Sequence, residues 1–594
     1  MIYLFKEVWK YSGEDRWKVI LFYILHSISF GGVLLKPYAF GRAINELQVN
    51  GINDLKPTIM WMIVYIAGFF QFEIFHRTGQ YFVVTTALRN QKRFINDMYD
   101  RVCNLPMKWH MDHHSGEVVN RINVAGLALR DFGFAQWKYI EHIVLSIGPI
   151  IILSRISWQI ALISLVLTII NLIVVEKMNK AIQIILHRKT ENFHSYSARL
   201  IDFVSNIRTI ISLGLRRQTG KELDKKFIGY YKENMNEFKI NQPRCFVISF
   251  GLIVTELIVI SYYLWAHKVS GIPIMVGSLV MIVNYFRQMS DAFFQITSSF
   301  YETLRWKTSL MSVNPIIQGR KKPLLPKYEE DAYNWNDLHI KKLSFKYSEG
   351  KTILSDINID IANDSKIAIV GLSGSGKSTL MSLLAGLYQP NKVKLMADNK
   401  EYSNLDLAAH TAILASQDSE IFENTILYNI TFGLEADPYE LKKVIDAARL
   451  GEVLERLPKG LETDIRERGV NLSGGEKQRI ALARGLFFSK SKRLLLLDEV
   501  TSNVDALNER LIMEQILENY KGKGVICTIH RLHLLEMFDT VLVMDSGRVV
   551  QRGSFKELIA TEGHLKKLWE KYLTHDKSVK GQLREKSNNE VCTS

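Results

Sequence analysis

Apolar residues dominate the first 300 positions of the chain, in runs long enough to cross a lipid bilayer. A transmembrane helix needs about 20 mostly apolar residues. Six segments meet this requirement: 19–43, 57–79, 135–156, 158–177, 245–267 and 273–297. The fourth is the clearest, because no charged residue lies between Trp158 and Val175. The pattern predicts an all-α membrane domain with six transmembrane helices.

The connections between these spans alternate between short turns and long polar segments. The segments after the second and fourth spans each exceed 50 residues, carry many lysines and arginines, and contain few glycines or prolines. They keep a helical period, so we expect the helices to continue out of the membrane as cytoplasmic extensions. Because basic residues concentrate on the cytoplasmic side of membrane proteins, both termini are predicted to be cytoplasmic.

The polarity of the chain changes beyond the sixth span. Short apolar strands then alternate with helical segments, which predicts an α/β domain with a largely parallel sheet. The predicted divisions are an amphipathic interfacial helix (1–18), the membrane domain (19–312), a charged linker (313–332), the α/β domain (333–575) and a polar, disordered tail (576–594).

The overall composition hides these two halves. Hydrophobic residues make up 47% of the chain and charged residues 23%, but these values average an apolar half and a polar half. The net charge of +14 could suggest a nucleic-acid partner. The basic residues, however, flank the apolar runs as they do in membrane proteins, so no nucleic-acid partner is predicted. The four cysteines are scattered, which favours neither a disulfide framework nor a zinc site.

A phosphate-binding loop follows the predicted strand 366–370. The loop has the pattern G-x-x-x-x-G-K-S, with a strand before it and a helix after it. Its glycines let backbone N–H groups approach phosphates, and Lys377 can reach the β- and γ-phosphates of ATP. The Ser378 hydroxyl is placed to bind Mg²⁺. The predicted nucleotide-binding residues of the loop are Gly371, Ser373, Gly374, Ser375, Gly376, Lys377, Ser378 and Thr379.

Two carboxylates end the apolar stretch 494–497. In open α/β sheets, ligands bind at the carboxyl ends of the strands, which is where Asp498 and Glu499 fall. Asp498 is predicted to hold Mg²⁺, and Glu499 to act as the general base that polarises the attacking water. An acidic pair after a strand is common, and the upstream phosphate loop makes this pair a candidate for ATP hydrolysis.

A third motif, Leu-Ser-Gly-Gly-Glu from Leu472, resembles the signature motif of ABC transporters. The order of the domains is similar to that of exporter-type half-transporters of this family, such as bacterial multidrug and lipid exporters, and the resemblance covers essentially the whole chain. It implies that ATP lies between the phosphate loop of one subunit and the signature motif of another. An N-cap alone would explain Ser473, but not the rest of the motif. The implied nucleotide-binding residues are Ser473, Gly474, Gly475 and Glu476.

The resemblance also assigns roles to residues outside these three motifs. Tyr347 stands where the family stacks an aromatic ring on adenine. Gln417 matches the loop glutamine that senses Mg²⁺. Asp505 matches the aspartate of the dimer-contact loop, and Arg468 lies in the segment that links the signature motif to the membrane loops. The implied metal ligands are Ser378, Gln417 and Asp498.

His530 follows an apolar strand at the position of the family's switch histidine, which contacts the γ-phosphate. Glu499 and His530 therefore form the predicted catalytic pair. The chain departs from the family pattern at Arg466, where a glycine is usual, in Ser-Asn-Val-Asp from Ser502, and in the stretch 392–415. None of these departures removes a catalytic group, so two copies of the chain would form two competent sites. A homodimer is favoured, and a heterodimer with another half-transporter is possible.

The family places short coupling helices at the tips of the long cytoplasmic helices. They are expected near Trp109–Glu117 and Phe203–Thr209. The first tip holds three histidines, which are interpreted as solvated side chains more readily than as a metal site. Six ionisable residues within the predicted spans are candidates for lining a substrate cavity, and Arg287 could attract an anionic substrate. These six are Glu73, His76, Arg77, Glu256, Arg287 and Asp291. Glu73–Arg77 and Arg287–Asp291 could instead be simple intrahelical pairs.

The resemblance implies an ATPase coupled to transport, with ATP and Mg²⁺ bound. The expected activity is export of an amphipathic or hydrophobic drug, lipid or peptide from the cytoplasm by alternating access, across a bacterial inner membrane. An ATP-gated channel or regulator is one alternative, although such proteins often have degraded catalytic residues. A soluble ABC ATPase acting on ribosomes or DNA is another, and the six spans oppose it.

Overall fold

The structure is a computed structural model that describes residues 2–319, 333–347, 350, 352–465 and 472–573. The chain forms two compact units. The first comprises 1–105 and 112–321, and the second comprises 106–111 and the residues from 322 onward. Most of the predicted linker, the predicted tail, Arg466 and Arg468 lie outside the described residues.

The first unit is built from helices, as predicted. In chain order the helices up to residue 319 are α1 (Ile2–Ser12), α2 (Arg16–Asn50), α3 (Lys56–Cys103), α4 (Met107–Asp112), α5 (Ser115–Ile156), α6 (Trp158–Ser205), α7 (Ile207–Ser212), α8 (Arg216–Ser270), α9 (Val276–Met311) and α10 (Asn314–Gln318). The six long helices α2, α3, α5, α6, α8 and α9 contain the six predicted spans, apart from the first three residues of the sixth.

Several of these helices are long and apolar enough to cross a membrane. Among the described residues, this holds for the continuous stretch Ile2–Asn50 and for α3, α5 and α8, and α6 begins with the shorter apolar stretch Trp158–Asn171. At about 1.5 Å per residue, the 48 residues of α3 extend about 70 Å, more than twice the hydrocarbon core of a bilayer. The long polar segments are therefore helical continuations of the apolar ones, as the sequence predicts.

Glycine pairs bring the backbones of neighbouring helices together. A Cβ atom on Gly32 of α2 would lie 2.5 Å from the carbonyl oxygen of Gly68 in α3. A Cβ atom on Gly277 of α9 would lie 2.0 Å from the carbonyl oxygen of Gly41 in α2. Small residues of this kind let membrane helices approach closely. They fix the crossings of α2 with α3 and with α9.

A buried carboxylate attaches the N-terminal segment to α3. Asp15, only 4% exposed, lies 2.7 Å from Arg89 Nη1, 2.8 Å from Arg93 Nη2 and 2.6 Å from Lys18 Nζ. The hydrogen bond from Lys18, reinforced by the two arginines, holds the pKa of Asp15 below its usual value. The cost of burying the Asp15 charge is offset, because each carboxylate oxygen faces at least one cation.

The second unit has the α/β architecture that the sequence predicts. Its strands are β1 (Asp337–Phe345), β2 (Leu354–Ala362), β3 (Lys366–Val370), β4 (Lys392–Ala397), β5 (Lys400–Tyr402), β6 (Ala412–Ala415), β7 (Leu494–Asp498), β8 (Gly524–Thr528), β9 (Thr540–Asp545) and β10 (Arg548–Gly553). Its helices are α11 (Lys377–Leu384), α12 (Asp406–Thr411), α13 (Ile426–Thr431), α14 (Pro438–Ala447), α15 (Gly451–Arg456), α16 (Gly474–Phe488), α17 (Ala506–Asn519) and α18 (Phe555–Ala560).

Two sheets organise this unit. The larger has the order β10-β9-β3-β8-β7-β6, in which every neighbouring pair is parallel except β9 with β10. The smaller, β2-β1-β4-β5, is antiparallel and was not predicted. All residues of β7 and β8 are buried, which explains why these strands appear in the sequence as continuous apolar runs.

Short helices occur close to the positions predicted for the coupling helices. α4 begins two residues before the first predicted segment, and α7 begins four residues after the start of the second. Pro106–Met111, which include most of α4, belong to the same compact unit as the ATPase strands. Within that unit the Tyr388 hydroxyl donates to Met111 Sδ over 3.0 Å.

Candidate nucleotide site and membrane cavity

Three adjacent parallel strands bring the predicted ATPase residues to one edge of the sheet. β3 pairs with β8, and β8 pairs with β7, with Thr528 aligned to both Ile369 and Asp498. The phosphate loop leaves β3, Asp498 ends β7, and His530 lies two residues after β8. Because the strands are parallel, their carboxyl ends meet, and this edge holds the candidate site.

The phosphate loop adopts a conformation that requires glycine. Gly371 and Gly376 have φ values of 157° and 102°, and a Cβ atom on Gly371 would lie 2.2 Å from the carbonyl oxygen of Met544. Lys377 opens α11 and is only 5% exposed, with Nζ donating to the carbonyl oxygens of Gly371 (2.9 Å) and Leu372 (3.3 Å). Burial lowers the pKa of Lys377. The lysine is thus held folded over its own loop.

The loop also holds an unused polar group. The hydroxyl of Ser375 is buried and has no hydrogen-bond partner among the described residues. It lies just before the N-terminus of α11, where backbone N–H groups and the helix dipole favour an anion. An orphaned hydroxyl, a buried lysine and a helix N-terminus together fit the triphosphate of a nucleotide.

Asp498 is enclosed between two hydroxyl groups. Its Oδ1 atom accepts hydrogen bonds from Thr528 Oγ1 (2.8 Å) and Ser378 Oγ (3.3 Å), and the residue is 6% exposed. Burial raises the pKa of Asp498. Asp498 and the neighbouring serine hydroxyl are suitable ligands for a divalent cation. The cation would offset the negative charge that burial disfavours.

Glu499 has an unusual backbone conformation for its residue type. Its φ is 50°, in the left-handed region that costs free energy for a residue with a Cβ atom. Its backbone N–H donates to Thr528 Oγ1 over 2.8 Å, and its Oε1 lies 2.5 Å from Nε2 of His530. The side chain of Glu499 is 13% exposed, and that of His530 is half exposed. The two predicted catalytic residues are therefore in direct contact.

An exposed aromatic group lies beside the end of the loop. The Tyr347 hydroxyl is 3.1 Å from Thr379 Oγ1, and its ring lies edge-on to those of Phe345 (4.9 Å between centroids) and Tyr388 (5.2 Å). Tyr347 is 41% exposed, so part of its side chain is accessible to a planar ligand.

The signature motif starts α16 and is anchored to the 502–504 segment. Ser473 caps the helix and forms a capping box with Glu476. A Cβ atom on Gly475 would lie 2.7 Å from the carbonyl oxygen of Asn503. Gln478 donates to Ser502 Oγ and accepts from the Asn503 N–H, each over 2.8 Å. The start of α16 and this segment therefore form one rigid surface.

The structure joins some predicted residues and leaves others apart. Contacts connect Ser378 with Asp498, Tyr347 with Thr379 and Glu499 with His530. Within the described parts of the chain, no hydrogen bond or ion pair links the phosphate loop to Gln417, Ser473 or Asp505. Gln417 is exposed, and Asp505 caps α17 by accepting from the Asn508 N–H. That hydrogen bond lowers the pKa of Asp505.

Sequence analysis missed several residues that hold the site in place. Thr528 binds both Asp498 and the backbone of Glu499. Glu509, 5% exposed, accepts from Thr501 Oγ1 and lies 2.8 Å from Arg531, next to His530. A threonine ending an apolar strand was the available signal for the first. No local pattern indicates the second, because its partners are distant in the sequence.

The membrane unit contains a cavity of 730 Å³ between α5, α8 and α9. None of the six ionisable residues predicted from the spans lines it. Glu73 and Arg77 instead form an intrahelical ion pair of 2.9 Å, the simpler of the two interpretations. Arg287 and Asp291 are exposed. The charged residues that line the cavity lie at the ends of the predicted spans and just beyond them.

The chain matches two family models. One, ABC transporter transmembrane region, covers residues 19–293, and the other, ABC transporter, covers residues 354–502. Together they contain the spans, the phosphate loop, the signature motif and the acidic pair. The chain belongs to the ABC transporter family. It is a multi-pass membrane protein of the exporter half-transporter type, with an ATP-binding ATPase domain fused to the membrane domain.

Relatives of this ABC exporter match it over both domains. An ATP-dependent lipid A-core flippase of Legionella pneumophila is 25% identical, covering 95% of this chain and 96% of its own. A multidrug resistance ABC transporter ATP-binding and permease protein of Lactococcus lactis is 25% identical over 81% of each chain. A bacterial Atm1-family ABC exporter with ATP bound has the same fold, with a TM-score of 0.82, 21% identity, and coverage of 94% of this chain and 98% of its own.

Proposed function

We propose that two copies of this chain associate and hydrolyse ATP at two shared sites, which drives an amphipathic compound out of the cytoplasm. The observation that carries the proposal is the direct contact of Glu499 with His530 at the sheet edge that also holds Lys377 and Asp498. An intact base at this position distinguishes a hydrolysing exporter from a regulator that only binds nucleotide.

Nucleotide binding would use groups that the fold has already placed. Ser375 and the N–H groups at the start of α11 bind phosphate oxygens, and Lys377 exchanges its two loop carbonyl partners for the β- and γ-phosphates. Tyr347 stacks on the adenine ring. Ser378 and Asp498 would hold Mg²⁺, with Gln417 as a further ligand, and the metal would supply neutralisation of phosphate charge.

Hydrolysis would depend on the Glu499 carboxylate. A water molecule attacks the γ-phosphorus, the bond to the β–γ bridging oxygen breaks, and Glu499 takes the proton of the water. His530 Nε2 orients the carboxylate and contacts the γ-phosphate. The contact between Thr528 and the Glu499 backbone holds the carboxylate beside Asp498.

The second copy is required because the signature motif is not joined to the phosphate loop of its own chain. Ser473, Gly474, Gly475, Glu476 and Asp505 would complete the site of the partner instead. Their rigid attachment to the 502–504 segment would present them as one surface. Closure of the two ATPase domains would pull on the long helices and open the cavity outward. We place the protein in a bacterial inner membrane with both termini in the cytoplasm.

Heterodimers purified through two affinity tags test this arrangement. A chain carrying Lys377→Ala is paired with a chain carrying Ser473→Asp, which keeps an N-cap residue but repels phosphate. If sites are shared, this pair retains one intact site and about half of the ATPase activity. A wild-type chain paired with the double variant then has no intact site. The opposite ranking would show that each chain hydrolyses ATP by itself, and would overturn the proposal.

Transport is tested separately. The wild-type protein in proteoliposomes should accumulate amphiphilic compounds only when ATP is supplied, and the Glu499→Gln variant should not. An ATP-dependent ion current in planar bilayers, without accumulation, would indicate a channel and would contradict export.

A further inference from the structure

The 730 Å³ cavity has a wall of charged and aromatic side chains. Asp131 and Lys138 come from α5, Glu237 and Arg244 from α8, and Glu302 and Arg305 from α9. With the predicted spans as reference, most of these lie just beyond the spans, at the level where lipid headgroups meet water. The volume is within the range of about 300–1,000 Å³ that holds a small ligand.

Each carboxylate of this wall already has a cation. Asp131 accepts two hydrogen bonds from Arg130, at 2.9 and 2.7 Å. Glu302 lies 3.4 Å from Lys138. Glu237 lies 2.7 Å from Lys189 of α6 and accepts a hydrogen bond from the Tyr301 hydroxyl over 3.4 Å. Each acidic residue thus has a cation of the protein beside it and offers less to a cationic ligand than an unpaired carboxylate would.

One cation that lines the cavity, Arg305, has no such partner among the described residues. Arg305 makes no hydrogen bond or ion pair with any other described residue, although its side chain lines the cavity. Arg244, by contrast, is 4% exposed and engaged within the protein, where its Nη2 donates to Oδ1 of Asn241 over 2.5 Å. Arg305 therefore presents an exposed guanidinium to the cavity without a carboxylate partner. Such a group favours a carboxylate, sulfate or phosphate as its partner.

Apolar surface continues from this charge. Phe134 and Trp137 of α5 and Phe294 of α9 line the same cavity, and so does Trp306, one residue after Arg305. Aromatic rings of this size supply most of the affinity of an apolar site. An anionic group at Arg305 and an apolar body against these rings would satisfy both parts of the wall.

We propose that this cavity binds an anionic amphiphile, with its acidic headgroup on Arg305 and its apolar part among the aromatic side chains of α5 and α9. The inference rests on the proposed export function, because it names the substrate class of that exporter. It places the anionic group on Arg305 and not on Arg287, which does not line this cavity.

Direct binding to the nucleotide-free protein tests the proposal. The full-length chain is placed in phosphatidylcholine nanodiscs, and energy transfer from tryptophan is measured to a pyrene-labelled dodecyl sulfate. The matched alcohol and trimethylammonium compounds carry the same label, and empty discs report simple partition. The sulfate should bind about tenfold more tightly than the other two. Equal binding of all three compounds would overturn the proposal.

Variants of one helix assign the effect to Arg305. Arg305→Gln should weaken sulfate binding about tenfold, and Arg305→Lys should restore most of it. Arg287→Gln is the matched control on α9, and it should bind like the parent. Glu302→Gln, which frees Lys138, should bind the sulfate more tightly. A loss in Arg287→Gln with none in Arg305→Gln would place the anion elsewhere and refute the assignment.

Two further measurements separate the possible failures. Inorganic phosphate at high concentration should displace little of the labelled sulfate, whereas complete displacement would mean that the cavity recognises a free anion and not an amphiphile. Basal ATP hydrolysis is measured on the same discs. Its absence in the wild-type protein would refute the proposed function, while selective binding of neutral or cationic probes by an active ATPase would refute only the substrate class.

Discussion

Nε2 of His530 lies 2.5 Å from Oε1 of Glu499, while the backbone of Glu499 is held at a φ of 50°. The left-handed conformation is unfavourable by itself, because it strains a residue with a side chain. The Thr528 hydroxyl accepts from the Glu499 N–H and donates to Asp498, which holds Glu499 in this conformation. These contacts place the candidate base, its histidine and the candidate metal-binding carboxylate together.

Removing the charge of Glu499 tests its role as the base. Glu499→Gln should lower the rate of phosphate release by about 10²- to 10⁴-fold, because general-base catalysis contributes that much. ATP should still bind, and the ATP-bound dimer should accumulate on size exclusion. Glu518→Gln, an exposed residue of α17, is the control and should leave the rate unchanged. Turnover near the parent rate in Glu499→Gln would exclude the assignment.

His530 should act through the same carboxylate. His530→Ala is expected to lower phosphate release strongly, and the double variant with Glu499→Gln should fall little further, because residues that act as a unit are not additive. Rates from single-turnover experiments check this. A double variant that multiplies the two single losses would mean that the two residues contribute independently.

Tyr347 should bind adenine through its ring and not through its hydroxyl. Tyr347→Ala should weaken ATP binding by about 5- to 150-fold, since stacking of an aromatic ring on a base contributes about 1–3 kcal/mol. Tyr347→Phe keeps the ring and should bind nearly as well as the parent. Titration with a fluorescent ATP analogue measures both. If the two variants lose affinity equally, the contact of the hydroxyl with Thr379 is what matters.

Asp15 should stabilise the N-terminal segment over the whole range from mildly acidic to mildly basic pH. Its pKa is lowered in the folded protein, so its contribution is present above the ordinary value of 3.8 and is lost as the pH falls through the folded-state pKa. Asp15→Asn should lower the melting temperature by about 2–6 °C, equally at about pH 5 and about pH 8. Glu14→Gln, its exposed neighbour, should have no effect. A penalty that vanishes at the lower pH would contradict the lowered pKa.

Gly277 should tolerate no side chain. Gly277→Ala places a Cβ atom 2.0 Å from the carbonyl oxygen of Gly41, which forces α2 and α9 apart and should destabilise the protein by about 1–3 kcal/mol. Gly220→Ala in α8 meets no atom within 4 Å and should stabilise slightly, because alanine is the better helix former. Thermal unfolding in detergent compares the two. Unchanged or raised stability of Gly277→Ala would show that this crossing adapts easily.

The sequence predicted those features that depend on residues close together along the chain. Long apolar runs predicted the helices, and the phosphate loop with its flanking strand and helix predicted the α/β ATPase domain, both of which are confirmed. The antiparallel sheet of β1, β2, β4 and β5 was missed, because its strands carry many exposed positions and because β1 pairs with β4 across β2, β3 and the phosphate loop. The small α4 and α7 helices were placed only to within a few residues, since their ends depend on tertiary contacts.

The cavity could not be predicted from spans alone. Its charged residues lie where the helices leave the predicted apolar segments. Lysines and arginines are common at such positions in membrane proteins, so the sequence does not distinguish a ligand-binding cation from the usual basic residues of cytoplasmic loops. Glu302 and Lys138 are 164 residues apart, and no local pattern connects them. Which charges are neutralised depends on which helix faces pack together, and this is determined by the tertiary structure.

Glu237 connects α8 to α6 through its ion pair with Lys189, and to α9 through the hydrogen bond that it accepts from Tyr301. Separating α8 from α6 or from α9 would leave the Glu237 carboxylate, whose side chain is 15% exposed, without one of its partners. The Lys138–Glu302 pair links α5 to α9 more weakly, because these side chains are 31% and 45% exposed. The cavity can therefore widen without leaving an unpaired acid only if α6, α8 and α9 move together.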